Sequence, residues 1–139
     1  MATVVAAAAS GVDWQERGTF ALAALLRFFA ERPDVAHMGV IEAMAAGPAV
    51  LAERDQAVEA LALLIGQEAL ASASGEVPEL LLRTAAGSIL QLIYARVLVD
   101  QADELEGLLP LSRYMVLVAF VGPEAAAAKA GLLPAGTAE

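Results

Sequence analysis

The hydrophobic pattern of this chain falls into helix-length segments that are separated by proline and glycine. Asp13 stands three residues before Glu16, the spacing of a capping box at the start of a helix. Apolar residues then recur at helical spacing, and they predict a helix over 14–31. Pro33 disfavours helical geometry in the residue before it and suits the first turn of the next helix. The pattern therefore predicts a break at this proline and a second helix over 34–46.

The glycine–proline pair at 47–48 repeats this punctuation and predicts a third helix over 48–72. This segment is the most clearly amphipathic one. Its apolar positions follow the helical repeat and comprise Val50, Ala57, Val58, Leu61, Leu64 and Ile65. The polar positions predicted to face water are Glu53, Arg54, Asp55, Gln56 and Glu59.

Two further segments, 78–99 and 108–121, are apolar on every side, and the acidic stretch between them predicts a loop or a single turn. A helix that is apolar all round must be covered all round. A single chain of 139 residues has few elements to spare, so we expect a homodimer in which these two helices form a four-helix seam. The predicted interface residues are Ala85, Ala86, Ile89, Leu92, Ile93, Arg96, Tyr114, Leu117, Val118 and Val121.

The two ends of the chain predict less structure. Residues 1–12 are rich in alanine and suggest a stub or a frayed linker helix, and 131–139 suggest a frayed tail. Gly122-Pro123 opens a short terminal helix. We expect one domain over 13–130, an all-α bundle of about five to six helices.

Composition supports this fold class. Hydrophobic residues make up 59 % of the chain and aromatic residues only 5 %, with alanine and leucine, the best helix formers, prominent. The net charge of −9 repels phosphate backbones, so we expect no nucleic acid to bind this chain alone. The longest candidate for a membrane span, 35–52, is interrupted by Glu42 and Gly47-Pro48. We expect a cytoplasmic protein without a membrane segment.

The sequence holds little catalytic chemistry. There is no cysteine, and His37 is the only histidine, which argues against thiolate or histidine metal sites and histidine-containing triads. Phosphate-loop, GxSxG and HExxH motifs are missing, so we expect neither an enzyme nor a cofactor. We interpret His37 as a core or rim residue with a hydrogen-bond partner, with a ligand contact as the alternative. Met38 and Met44 are interpreted as core-filling residues, the alternative being an adaptable binding surface.

One polar line crosses the first all-apolar segment. Arg83, Gly87, Gln91 and Tyr94 share a face of the predicted 78–99 helix. Buried polar groups need partners. The line therefore predicts either hydrogen bonds between helices at the seam or the polar lining of a pocket.

A family resemblance rests on several of these segments. They are Phe28-Phe29-Ala30-Glu31-Arg32-Pro33-Asp34, the apolar helix with Glu42, Gly47-Pro48, Ala86-Gly87-Ser88-Ile89, Ile93-Tyr94-Ala95-Arg96, and Leu108-Leu109-Pro110 through Phe120-Val121-Gly122-Pro123. In this order they resemble the C-terminal regulatory domain of TetR-family transcriptional regulators, over about residues 13–130. The resemblance implies a helical domain that binds a small effector in its core and dimerises through its last two long helices. It also implies a preceding helix-turn-helix domain that binds operator DNA, of which this chain has no counterpart. Whether the chain is cut from a longer protein or is a natural stand-alone domain stays open.

Both lines of reasoning lead to a small apolar effector within the helical core. The candidate lining residues are Phe20, Phe28, Met38, Ile41, Met44, Val58, Leu61 and Ile65, with polar contacts from Arg83, Gln91 or Tyr94. Two alternatives remain: a ligand-free helical interaction module, and a membrane-surface or pore-forming helical protein. The negative charge argues against attraction to anionic lipid.

Overall fold

A computed structural model describes residues 2–72 and 79–133, and within them the protein is built from helices without any strand. The seven helices are α1 (Ala2–Ala9), α2 (Trp14–Ala30), α3 (Pro33–His37, Met38–Glu42 and Ala43–Ala45, in continuation), α4 (Pro48–Ser72), α5 (Glu79–Val97), α6 (Leu109–Val121) and α7 (Pro123–Ala130). A 3-10 segment, Ala102–Leu108, joins α5 to α6. The predicted all-α bundle is confirmed, with one helix more than expected.

The additional helix is α1. Val4 and Ala8 of α1 are buried against Ala21 of α2. The expected stub or frayed linker helix over 1–12 is thus a helix, and it is packed against α2 instead of frayed. A period-four pair of apolar residues in an alanine-rich segment is enough to dock a short helix when a neighbouring helix offers a small residue.

The punctuation residues act as the sequence predicts. The Asp13 carboxylate accepts a hydrogen bond of 2.9 Å from the Glu16 backbone N–H, and the Glu16 carboxylate accepts one of 2.9 Å from the Val12 N–H. The first bond is the predicted N-cap of α2, and the second differs from a standard capping box by one residue, because Glu16 accepts from the residue before the N-cap and not from the N-cap itself. Gly47 and Gly122 adopt φ values of +97° and +79°, which favour glycine, and each precedes the proline that opens the next helix.

The middle of α3, Met38–Glu42, forms a π-helical turn. The helix buries Ala36, Val40 and Ala43, whereas Met38 is 62 % exposed. The predicted core-filling role of Met38 is therefore wrong. Met38 has the larger apolar side chain, but the packed face of α3 carries Ala36 and Ala43. These small residues allow α3 to approach its neighbours closely.

The acidic stretch after α5 is also different from its prediction. It forms the 3-10 segment, in which Ala102, Leu105 and Leu108 are buried, and Leu105 has no exposed surface. Residues three apart lie on one side of a 3-10 helix, so all three apolar residues face the core. The acidic residues point outward, where Glu106 pairs with Arg27 of α2 at 3.3 Å.

The main core lies between α2, α3, α5, the 3-10 segment and α6. Its buried residues are Leu22, Leu26, Ala36, Val40, Ile89, Ile93, Val97, Ala102, Leu105, Leu108 and Val116. A smaller cluster joins α4 to α5 through Ala62, Leu82 and Ala86. The side of α5 that carries Leu82, Ala86, Ile89, Ile93 and Val97 is therefore covered by the chain itself.

This packing corrects part of the predicted seam. Ala86, Ile89, Ile93 and Leu117 are each at most 4 % exposed within one subunit, so their side chains have no free surface for a partner. Of the other predicted seam residues, Ala85 and Leu92 pack at the edge of the main core. Arg96 donates hydrogen bonds to Gln101 and Glu104 of the same subunit. Tyr114, Val118 and Val121 are half-buried on α6.

The 18 residues from Leu80 to Val97 are long and apolar enough to span a bilayer, and 28 % of them are buried. The expectation that no segment meets this test is thus wrong. This window contains only Arg83 and Arg96 as charged residues, whereas 35–52 is interrupted by Glu42 and Gly47-Pro48. Core helices of soluble proteins also pass this test of length and composition.

Candidate functional site

The site that the fold creates is an apolar cavity of about 180 Å³ where α1 to α5 meet. Its lining residues come from all five helices and are Val4, Leu25, Phe29, Gly39, Val40, Arg54, Val58, Ala86, Ile89, Leu90 and Ile93. By comparison, a cavity of about 150 Å³ lined by leucine, isoleucine and phenylalanine accommodates benzene. The cavity therefore has room for a ligand that is slightly larger than benzene.

Helical spacing explains how a single helix contributes two or more residues to the lining of the cavity. Leu25 and Phe29 of α2 are four residues apart, as are Arg54 and Val58 of α4, so each pair lies on one side of its helix. On α5, the lining residues recur every three or four positions. The cavity lies beside the main core and shares Val40, Ile89 and Ile93 with it.

Arg54 is the one charged residue among those that line the cavity. Its side chain is 26 % exposed, and its Nη1 lies 3.8 Å from the Asp55 carboxylate, beyond hydrogen-bond distance. Its Nε is buried and has no hydrogen-bond partner in the described part of the chain. A buried donor without a partner costs about 1–3 kcal/mol, and more when it is charged. Such a group is well placed to bind an acceptor that enters the cavity.

The prediction that Arg54 faces water with its polar neighbours is therefore wrong. Its spacing from Leu51, Val58 and Ala62 could have revealed this, because all four recur at helical intervals on one side of α4. Ala62 is buried, and Leu51 and Val58 are half-buried. Residues 53–56 are all polar, and such a run suggests one surface that faces water. Consecutive residues point in different directions around a helix, however, so Arg54 can face inward while its polar neighbours face water.

The aromatic prediction selected the wrong neighbours. Phe29 lines the cavity, whereas Phe28 makes an edge contact with Phe29 at 5.6 Å and lies under the Arg32 guanidinium at 4.7 Å. Phe20 is 40 % exposed and lines a surface groove between α1 and α2. The apolar face of α2 is wide, and composition alone does not say which of its phenylalanines points inward.

The other predicted apolar contacts divide among three places. Val58 lines the cavity as expected, Ile41 packs against the main core, and Met38 is exposed. The side chains of Met44, Leu61 and Ile65 lie outside the described residues.

The predicted polar line of α5 does not reach the cavity. Arg83 is 55 % exposed and lies 3.8 Å from Glu59, Gln91 is exposed, and a methyl group at Gly87 would meet open space. Tyr94 packs against the main core. The pocket-lining interpretation of this line is therefore not supported by its placement, and the seam interpretation stays a prediction.

His37 is exposed, not part of the core. Its Nδ1 lies 3.6 Å from the Glu42 carboxylate, and it borders a surface groove with Asp100 and Asp103. No group of three histidine, cysteine, aspartate or glutamate side chains within the described residues is arranged to hold a metal ion.

Known proteins offer no independent indication of function. Comparison with family models, with curated proteins and with solved structures gives no match for this chain. The candidate site therefore depends on the geometry of the cavity and on Arg54.

Proposed function

We propose that this chain is the effector-binding and dimerisation region of a transcriptional regulator that resembles the TetR family. The observation that carries the proposal is the apolar cavity of about 180 Å³ between α1 and α5. Ligand sites are typically apolar and concave, with a few polar groups that fix orientation. The cavity has this character, with Arg54 as its polar group.

A ligand in this cavity would touch five helices at once. Because it would bind the folded subunit and not the unfolded chain, it would stabilise the fold and favour helix arrangements that fit it best. This is how effector binding would alter a regulator's affinity for DNA. A ligand-free interaction module, the main alternative, has no need for such a cavity, since a closed core is more stable.

Ligand binding is tested by thermal unfolding with small apolar compounds. At a hundredfold excess over Kd, a ligand stabilises the protein by about 2.7 kcal/mol, a shift in Tm of several degrees for this length. Val58→Phe should abolish the shift, because Val58 lines the cavity and a larger side chain there would occupy its space. Leu63→Phe on the same helix is the matched control, since Leu63 is 40 % exposed and does not line the cavity. A wild-type protein that responds to no compound would refute the proposal.

Dimerisation is the second part of the proposal. α5, the turn after it and α6 carry large exposed apolar residues, including Leu80 (70 %) on α5, Leu98 (53 %) in the turn and Leu111 (39 %) on α6. On α6, Leu111, Tyr114, Val118 and Val121 recur at helical spacing, so they form one outward stripe. Contact with the same surface of a second copy would remove this area from water.

The dimer is tested by light scattering at micromolar concentration. Leu111→Asp should shift the mass toward the monomer while the helical content is kept. Val50→Asp on α4 is the matched control, because Val50 is 37 % exposed and lies away from the proposed seam. A wild-type monomer would contradict the dimer. Ile89→Asp is unsuitable here, because Ile89 is 1 % exposed and a charge there would unfold the subunit.

DNA binding belongs, in this proposal, to a helix-turn-helix segment outside the 139 residues. The chain alone, with its net charge of −9, should not shift duplex DNA in a mobility assay. A helix-turn-helix reading frame fused upstream of Met1 in the genome would support the class. Sedimentation of the chain with liposomes would instead favour the membrane alternative, for which the exposed apolar side of α5 is the relevant surface.

A further inference from the structure

We infer that the ligand of the cavity is a small monocarboxylate with an apolar body of about six to eight carbon atoms, bound through its carboxylate by Arg54. The inference rests on the proposed effector-binding function and specifies the chemical class of the effector.

The unpartnered Nε of Arg54 indicates the charge of the ligand. This N–H is buried, and none of the described groups accepts a hydrogen bond from it. A guanidinium presents two parallel N–H groups along one edge, and these match the two oxygens of a carboxylate. A bound carboxylate would therefore satisfy the donor and balance its charge at the same time.

The volume of the cavity limits the size of the ligand's apolar body. The cavity of about 180 Å³ is somewhat larger than the cavity of about 150 Å³ that holds the six carbons of benzene. Six to eight carbon atoms would fill it. A longer chain would have to leave the cavity, and it would gain little from the additional carbons.

The single positive charge in the lining of the cavity favours a monoanion over a phosphate. Arg54 is the single cation among the lining residues, so a dianion would keep one charge uncompensated. The neighbouring Asp55 is 75 % exposed, and solvent screens its repulsion. At the solvent end, Gly39 is exposed and Arg54 is partly so, whereas Val4, Val40 and Ile93 are almost completely buried. The carboxylate would therefore lie on the Arg54 side of the cavity, and the apolar body would lie against the buried residues Val4, Val40 and Ile93.

Calorimetric titration with octanoate, whose apolar body has seven carbon atoms, and with octanamide, its neutral analogue of the same shape, tests the inference in the full chain. Wild type should bind octanoate at least tenfold more tightly, because hydrogen bonds to a charged group correspond to about a ten- to hundredfold change in affinity. Arg54→Met should lose this preference and keep octanamide binding. Arg83→Met is the matched control and should leave both affinities unchanged, since Arg83 is an exposed arginine outside the cavity.

The outcomes separate this inference from the proposed function. Equal wild-type affinity for the two probes would overturn the carboxylate assignment and leave an apolar effector site standing. Binding of neither probe would overturn both. If Arg54→Met fails to fold, the wild-type comparison and Arg54→Lys, which keeps the charge but not the paired N–H edge, decide the question. Affinity that still rises from octanoate to dodecanoate would overturn the size limit.

Discussion

Leu105 offers the sharpest test of this fold, because the acidic sequence around it predicts a loop or a single turn and the structure places it in the main core. Leu105 has no exposed surface and belongs to the same cluster as Leu26, Ile93 and Val97. Leu105→Ala removes three buried carbon groups, at about 0.8 kcal/mol each. The cavity left behind adds a further term, so we expect a loss of about 3–4 kcal/mol in the free energy of unfolding.

Thermal unfolding followed by circular dichroism measures this loss. With an unfolding entropy of about 2.1 cal/mol/K per residue, a chain of 139 residues loses roughly 3–4 °C in Tm for each kcal/mol. Leu105→Ala should therefore lower Tm by about 10–14 °C. Leu63→Ala, at a residue of α4 that is 40 % exposed and outside the proposed dimer surface, is the control and should lower it by about 3 °C or less. Similar values for the two variants, measured at one protein concentration, would show that the 3-10 segment is a solvated loop.

Four further substitutions test local features. Asp100 has φ +58° and its backbone N–H bonds to Val97 in the turn that ends α5, so Asp100→Gly should raise stability by about 0.5 kcal/mol; Gly131→Ala, in the same type of turn after α7, should lower it by about 1 kcal/mol, and a urea melt in which both changes have the same sign would contradict this. Asp13→Ala should cost about 1 kcal/mol by removing the cap of α2, and an unchanged Tm would count against this N-cap. Gly66→Val should cost about 1–3 kcal/mol, because a side chain there would overlap with Leu82, and undiminished stability would mean that α4 and α5 are further apart.

The sequence by itself determined the helices and where most of them begin and end. Gly47-Pro48 and Gly122-Pro123 mark helix starts because proline suits a first turn and glycine tolerates positive φ, and both effects act within a few residues. The Asp13–Glu16 pair is local in the same way. The all-α class follows from such signals together with an alanine- and leucine-rich composition.

Tertiary structure alone decided which side of each helix faces inward. On α5, apolar residues surround the helix, so no periodicity distinguishes Ile89, which is buried, from Leu80, which is exposed. On α4 the periodicity was present, but the charge of Arg54 outweighed it in the sequence interpretation. The side that is buried depends on which neighbours a helix meets, and those neighbours come from distant parts of the chain. The cavity is the clearest case: it exists only where five helices fail to fill the space between them, and no local pattern encodes that space.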